Sequence, residues 1–141
     1  MNPSLIISAL RGPFDFQIVA HEKIVSYLGQ NPKTRIIFLS SSNVFDAYSK
    51  YPCYENDTRL SNSIYGRFKI RIESQIQKLP KHQSAIIRLP MVFGLKSNRI
   101  KKLRQLNVIG ESIELFPNLI INVSSSNNLT KQIHYLSLIH I

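Results

Sequence analysis

The apolar residues of this chain fall into short continuous runs separated by stretches with helical spacing. Residues 4 to 10, SLIISAL, form a β-branched run bounded by Pro3 and by Gly12 with Pro13, which predicts a buried strand. From Phe14 onward the apolar positions Phe14, Ile18, Ile24, Val25 and Leu28 recur at near-helical spacing, with Asp15, Glu22 and Lys23 between them. Gly29 and Pro32 close that predicted helix. Residues 35 to 39 predict a second buried strand running into Ser40 to Phe45, and a polar loop follows. A helix is predicted from about Ser63 to Leu79, ended by Pro80, and a third strand from Ser84 to Leu89. Pro90 and Gly94 predict irregular backbone just beyond it. Strand, helix, strand, helix, strand at this spacing implies right-handed βαβ crossovers and a parallel sheet, so the fold class is α/β.

Past residue 95 the pattern weakens. The basic stretch through Leu106 predicts a helix, IELF and NLIINV predict short strands, and Leu129 to Tyr135 predict the start of another helix. The string SSSN recurs at Ser124 to Asn127, but no Tyr-x-x-x-Lys follows it, and so short a match reads as coincidence.

Composition adds bounds. With 141 residues, 43% of them hydrophobic, the chain is long enough for one core and one domain. No apolar stretch approaches the ~20 residues needed to span a bilayer, and the opening MNPSLIISALRG lacks a secretory signal, so a soluble cytoplasmic chain is expected. The single Cys53 excludes an internal disulfide and has no CxxC partner. The four histidines, at 21, 82, 134 and 140, show no metal-ligand spacing and read as isolated polar side chains, so no metal site is predicted.

Charge changes the picture more. Lys and Arg number 18 against 8 Asp and Glu, a net +10, which raises a nucleic-acid hypothesis. The basic residues are spread over several segments, however, and no helix-turn-helix, zinc-finger or aromatic RNA-binding pattern accompanies them. The one dense cluster is Lys96, Arg99, Lys101, Lys102 and Arg104, which reads as a solvated helix face or as an anion contact.

Candidate chemistry lies between residues 35 and 73. Tyr65 and Lys69 are four apart, so a helix sets both on one face about a turn from each other. An ammonium there lowers the cost of ionising a phenol whose unperturbed pKa is about 10. Ser41, at the end of the preceding strand, is placed to hydrogen-bond the same reacting oxygen. In open parallel sheets ligands bind beyond the carboxyl ends of the strands, where Ser41 and the residues after Leu89 lie. A proton-transfer site for a carbonyl or alcohol is the expected result; the competing reading is an exposed helix pair.

The ordered set SSSNVFD, then YENDTRLSNSIYGRFK with Glu73 closing the helical segment, then IIRLPMVFG, resembles the extended short-chain dehydrogenase/reductases. Within them it is similar to the sugar-nucleotide reductases related to dTDP-4-dehydrorhamnose reductase, over roughly residues 4 to 135. The resemblance implies part of a Rossmann-like parallel sheet, its strands corresponding to the second half, plus the start of a small substrate-binding region. It divides the chain at residues 1–95, 96–135 and a tail, 136–141. It implies Ser41, Tyr65 and Lys69 as catalytic residues. NAD or NADP in the intact parent would lie against Ala9, Ser40, Tyr65, Lys69, Leu89 and Pro90. A nucleotide sugar would meet Ser41, Ser42, Asn43, Lys96, Arg99 and Lys102, the basic residues taking its diphosphate. The resemblance allows a homodimer of the parent and gives no reason to expect a nucleic-acid or membrane partner. It implies reduction of a 4-keto nucleotide sugar; epimerisation or dehydration of a nucleotide sugar, and a binding module without turnover, are the alternatives. His21 stands where the family usually has asparagine, Leu10, Arg11 and Gly12 where it has small residues, Ser41 where reductases often carry threonine, and Arg59 and Ser61 near positions often held by proline.

The family's glycine-rich cofactor turn has no counterpart in the sequence. By the resemblance SLIISAL corresponds to the fourth strand of the parent sheet, which makes the chain an expected internal fragment lacking about 60 residues, two βαβ-length units. Its first strand would then expose an edge. The final LSLIHI is what CTG TCT CTT ATA CAC ATC encodes, a transposon end used in sequencing libraries, so residues 136–141 are an expected adapter-derived tail. On this reading the chain holds NADH or NADPH only weakly. Nicotinamide fluorescence titration checks it, and saturation at low micromolar concentration counts against truncation.

Overall fold

The computed structural model describes residues 3–48, 52–94, 97–113, 117 and 121–139. It contains two compact units, Met1–Leu89 with Leu136–Ile141, and Pro90–Tyr135.

In the first unit β1 (Leu5–Ser8), α1 (Phe14–Gln30), β2 (Arg35–Ser41), α2 (Ile64–Ile76) and β3 (Ser84–Leu89) follow one another in the predicted order. The three strands form one sheet in the order β1-β2-β3, all parallel, with Ser8 opposite Phe38 and Ser41 opposite Leu89. Two successive crossovers moving the same way across a sheet place both helices on the same face, because each crossover is right-handed. The core shows this: Ile18 and Leu28 of α1 and Phe68, Ile72 and Ile76 of α2 close over Ile36 and Phe38 of β2, with Leu79 beyond α2. Ile7, whose alternation points it to the other face, is 48% exposed. β1 is an edge strand, as the sequence implied.

Where the predicted boundaries move, local chemistry explains it. β1 is shorter than SLIISAL because Ala9 to Pro13 leave the sheet; Gly12 takes φ 124°, closed to residues with a side chain, and its carbonyl accepts a 2.7 Å hydrogen bond from Gln17 Nε2. β2 runs two residues past its apolar core, through Ser40 and Ser41, before a 3₁₀ turn at Ser42–Phe45. Gln83 is buried and its Nε2 lies 2.7 Å from the Leu28 carbonyl, 2.9 Å from that of Thr34 and 3.1 Å from that of Asn31, which satisfies carbonyls at the exit of α1.

The second unit holds β4 (Met91–Phe93), α3 (Asn98–Ile109), β5 (Val123–Ser125) and most of α4 (Ser126–Ile139). β4 pairs in parallel with β5, Met91 opposite Val123. The stretch after Pro90 was expected to be irregular and is a strand; Pro90 lacks a backbone donor, but Met91 begins the ladder by donating to the Asn122 carbonyl at 3.0 Å. Of the predicted strands IELF and NLIINV, only Val123 is extended among the described residues, and 114–116 and 118–120 lie outside them. α3 ends at Gly110, whose φ of 69° is a left-handed cap, and buries none of its residues. Among the described residues no helix is long and apolar enough to cross a membrane.

The start of α2 is set by a close approach. A Cβ on Gly66 would lie 2.0 Å from Ser61 Oγ and 2.3 Å from the Asn43 carbonyl oxygen. Gly66→Ala should therefore destabilise the chain by about 1–3 kcal/mol, because the overlap with backbone exceeds the roughly 1 kcal/mol of helix propensity that alanine adds. Urea unfolding checks this; a midpoint at or above wild type would mean the loop yields.

Candidate active site

Of the residues singled out in the sequence, Ser41 ends β2, and Tyr65 and Lys69 stand on α2, with Lys69 Nζ donating to the Leu39 carbonyl near the end of the same strand. Ser41 closes β2 in extended conformation, φ −144° and ψ 147°, and caps the 3₁₀ turn by accepting from the Asn43 backbone N–H at 3.2 Å. Its Oγ also donates to Asn43 Oδ1 at 3.0 Å. Ser41 is buried while Ser42 and Asn43 are exposed. α2 enters with Ser63 as N-cap, whose Oγ accepts from the Gly66 N–H at 3.0 Å and donates to the Asp46 carboxylate. Asp46 also accepts from the Asn62 N–H at 2.7 Å. Burial pushes the Asp46 carboxyl up, but hydrogen bonds from Ser63, Ser61 and Asn62 outweigh it and hold it below the usual range. The loop thus sets where the first turn of α2 begins, and Tyr65 sits in that turn.

Tyr65, Lys69 and Glu73 follow at four-residue steps along one helix face. They do not share one environment. Tyr65 is 41% exposed, Lys69 is 7% exposed and Glu73 is fully buried. The exposed-pair reading therefore fails for the lysine. Lys69 Nζ donates to the Leu39 carbonyl at 3.1 Å and lies 4.9 Å from the Phe38 ring centroid, 5.6 Å from that of Phe68 and 5.7 Å from that of Tyr65. Burial lowers its pKa, and Glu73 one turn on opposes the shift.

Burial, and not the Lys69 ammonium, dominates the state of the Tyr65 phenol here. Burial raises the Tyr65 pKa above the usual value; the Ser41 hydroxyl and the Arg11 charge pull the other way without overcoming it. The lysine is turned to a carbonyl and to ring faces, and half-burial of the phenol wins. The Ser41 hydroxyl lies near enough to favour the ionised phenol, while its Oγ is held by Asn43 at 3.0 Å. Phe14 of α1 packs alongside, stacked on Phe68 at 4.4 Å and tilted against Tyr65 at 6.1 Å.

Glu73 had appeared only as the end of a motif. It accepts from Ser40 Oγ at 2.5 Å, from Arg88 Nη2 at 3.0 Å and Nε at 3.2 Å, and from Arg59 Nη1 at 3.3 Å. Ser40 stands in register with Arg88 across the sheet, which is why a serine and an arginine reach one carboxylate. The periodicity that set Tyr65 and Lys69 on one face extends to Glu73 and was the available signal. Ser40 was assigned to a cofactor from the resemblance, and its hydroxyl is engaged by Glu73.

His21, read as an isolated polar side chain, is instead buried at 1% exposure with partners on both ring nitrogens. Nδ1 lies 2.6 Å from the Gln17 carbonyl, which can only accept, so Nδ1 carries the proton and Nε2 accepts from Ser8 Oγ at 2.8 Å. Its ring meets the edge of Phe38 at 5.1 Å. Helical spacing from Gln17 and Ile18 could have marked it as core.

Of the remaining residues, Ala9 is exposed just past β1, and Leu89 and Pro90 are half-buried at and after the end of β3. Arg99 and Lys102 are exposed on α3 in the second unit, and Lys96 lies outside the described residues. Among the described residues no group of three or more His, Cys, Asp or Glu is placed to hold a metal.

A parallel α/β sheet with a serine, a tyrosine and a lysine at its carboxyl edge defines a Rossmann-like class of protein. The family model for the RmlD substrate binding domain matches residues 16–120, and the chain belongs to that family. No curated protein matches it in sequence. Among solved structures it is similar to a dTDP-4-dehydrorhamnose reductase from Yersinia enterocolitica, at 24% identity and TM-score 0.81, covering 99% of this chain and 54% of that one. A dTDP-4-dehydrorhamnose reductase from Clostridium acetobutylicum matches at 18% identity and TM-score 0.81, over 96% and 52% of the two chains. A UDP-N-acetylglucosamine 4-epimerase from Bacillus cereus matches at 17% and 0.74, over 97% and 54%. The chain thus spans about half the length of the solved structures it matches.

Burial lowers the His21 pKa below 6.5, the Gln17 carbonyl opposes this and the Lys69 charge adds to it. Below that value the unfolded chain binds more protons than the folded one, so this contribution is full above pH 6.5 and is lost as pH falls toward the folded value. His21→Gln should flatten the loss of stability between about pH 7.5 and pH 5.5. Urea midpoints at the two pH values measure it, and an unchanged slope would remove His21 as its source.

Proposed function

We propose that the chain carries the reacting residues of an NAD(P)-dependent sugar-nucleotide oxidoreductase that reduces a 4-keto nucleotide sugar. The observation that supports this reading is the placing of Ser41 at the carboxyl end of β2, near enough to influence the Tyr65 phenol, with the Lys69 ammonium one turn further along α2. Membership of the RmlD family and the fold shared with the two reductases support it.

The residues present fit the nicotinamide end of such a cofactor. Ala9 offers a small exposed side chain beside β1, and Lys69, an ammonium with three donors, gives one to Leu39 and keeps the others for a ribose hydroxyl pair. Ser40 would contribute through its backbone, and Leu89 and Pro90 through apolar contact. When bound, NADH or NADPH would supply the hydride. Ser41 orients the substrate carbonyl by a hydrogen bond. Tyr65 donates the proton that the reduced oxygen requires, and a pKa raised by burial keeps its phenol protonated near neutrality, the state a donor needs. Ser42 and Asn43, exposed beside Ser41, offer polar contacts to the sugar. Arg99, Lys102 and Lys96 are the proposed anchors of the diphosphate. A cytoplasmic location fits this substrate.

The test uses an enzyme in which these residues stand with the remainder of the fold. Tyr65→Phe removes the hydroxyl and keeps the ring, so kcat/KM should fall about 10²- to 10⁴-fold with circular dichroism and cofactor binding unchanged. Ser41→Ala should cost less, because the proton donor remains. Wild-type turnover by a folded, cofactor-binding Tyr65→Phe enzyme would remove the assignment. Product formed without net consumption of NADH or NADPH would point instead to epimerisation or dehydration.

A further inference from the structure

The turn that Ser41 opens and the helical turn that carries Tyr65 lie far apart in the chain, and one side chain joins them. Asp46 ends the 3₁₀ turn Ser42–Phe45, its backbone N–H donating to the Asn43 carbonyl at 3.3 Å. Its Oδ1 accepts from the Asn62 backbone N–H at 2.7 Å, and its Oδ2 accepts from Ser63 Oγ. A hydroxyl has one proton to give, so Ser63, bound to the carboxylate, has only lone pairs to offer the helix, and it accepts from the Gly66 N–H at 3.0 Å. The carboxylate thus fixes which way the cap of α2 faces as well as where it stands. Beside it the Ala47 N–H donates to the Leu60 carbonyl at 3.2 Å. Asp46 itself is exposed and stands outside the core of Ile36, Phe38, Phe68 and Ile72, so this joint is separate from the packing that holds the unit together.

We propose that Asp46 is a positioning residue: by holding Asn62 and Ser63 against the turn that Ser41 opens, its carboxylate sets the Ser41 and Tyr65 hydroxyls relative to one another. This deepens the reading of those two residues as the reacting hydroxyls and rests on it. The path of constraint is short. Ser41 caps the 3₁₀ turn by accepting from the Asn43 N–H at 3.2 Å, Asp46 closes the same turn, and Tyr65 stands two residues past Ser63. Without the carboxylate the Asn62 N–H turns to water and the Ser63 hydroxyl is free to leave its rotamer, so the first turn of α2 frays while Phe68 and Ile72 keep the rest of the helix docked. A proton-transfer site tolerates little such play, since a misplacement of about 1 Å can cost roughly 10²-fold in rate.

The test needs neither cofactor nor substrate, because the influence of the Ser41 hydroxyl on the Tyr65 phenol measures how the two are placed. 3,5-Difluorotyrosine placed at position 65, whose phenol ionises well below that of tyrosine, reports its own titration by ¹⁹F NMR in the 141-residue chain. Ser41→Ala should raise the midpoint by roughly half a pH unit, since a hydroxyl that favours the phenolate is lost. In the Asp46→Ala background the same substitution should have little effect. Asp46→Ala also removes a negative charge and so lowers the midpoint by itself, but that shift is common to both members of the pair and cancels in the double-mutant cycle. Asp57→Ala removes another carboxylate of the same loop, one that accepts from the Tyr54 N–H at 2.7 Å, and should leave the Ser41 effect whole. A Ser41 effect that survives Asp46→Ala, that is missing from the wild type, or that Asp57→Ala abolishes equally, overturns the proposal. Asp46 is exposed, so its variant keeps the fold, as circular dichroism would verify. Asp46→Asn, with one accepting oxygen for two donors, gives the same comparison in a milder form should the alanine variant be unstable, and a Ser41 effect undiminished there counts equally against the proposal. An enzyme inactive on nucleotide sugars would sink the proposed function and leave this cycle unchanged.

Discussion

The carboxylate of Glu73 is the constraint on which the first unit depends. A buried charge without partners costs several kcal/mol, so its position is tolerable only where donors surround it. Here Ser40 supplies one from β2, Arg88 supplies two from β3 and Arg59 supplies one from the intervening loop. Arg88 also donates to the Glu55 carbonyl at 2.7 Å and lies 4.9 Å from the Phe45 ring centroid, so the same arginine holds the loop that leads to α2. One side chain thereby ties a helix to two strands and a loop.

The consequence appears two turns earlier on the helix. With Glu73 fixed, α2 has little freedom to slide along the sheet, and Lys69 is drawn under the aromatic layer of Phe38 and Phe68. Tyr65 is left at the surface in the first turn, facing Ser41. Gly66 permits the same docking from the other side, since only a residue without a Cβ fits against Asn43 and Ser61. The phenol sits half in water and half against Phe14 and Phe68, and that desolvation raises its pKa. The state of the Tyr65 phenol is thus set by packing more than by the neighbouring ammonium.

Much of this was legible from the chain alone. Short β-branched runs alternating with amphipathic stretches predicted the three strands and two α-helices of the sheet unit, because each buries a single face and the period of burial is written in the side chains. Tyr65, Lys69 and Ser41 were identifiable from spacing and position at a strand end. The second unit was less legible. α3 buries no residue, so its sequence carries no core stripe, and β4 is a strand only through its pairing with a segment some thirty residues away, Met91 with Val123. Non-local pairing of that kind leaves no local pattern.

What the sequence by itself determined is the α/β order, the parallel sheet and the placing of Ser41, Tyr65 and Lys69 near one edge, since these follow from periodicity and handedness acting along the chain. What only the tertiary structure decided is the state of each charged group. Lys69 and Glu73 have the spacing of a solvated helix face, and His21 reads as an isolated polar residue, yet all three are buried. Burial and electrostatic partners are set by segments distant in the chain that meet on folding, and pKa follows those partners and not the residue type.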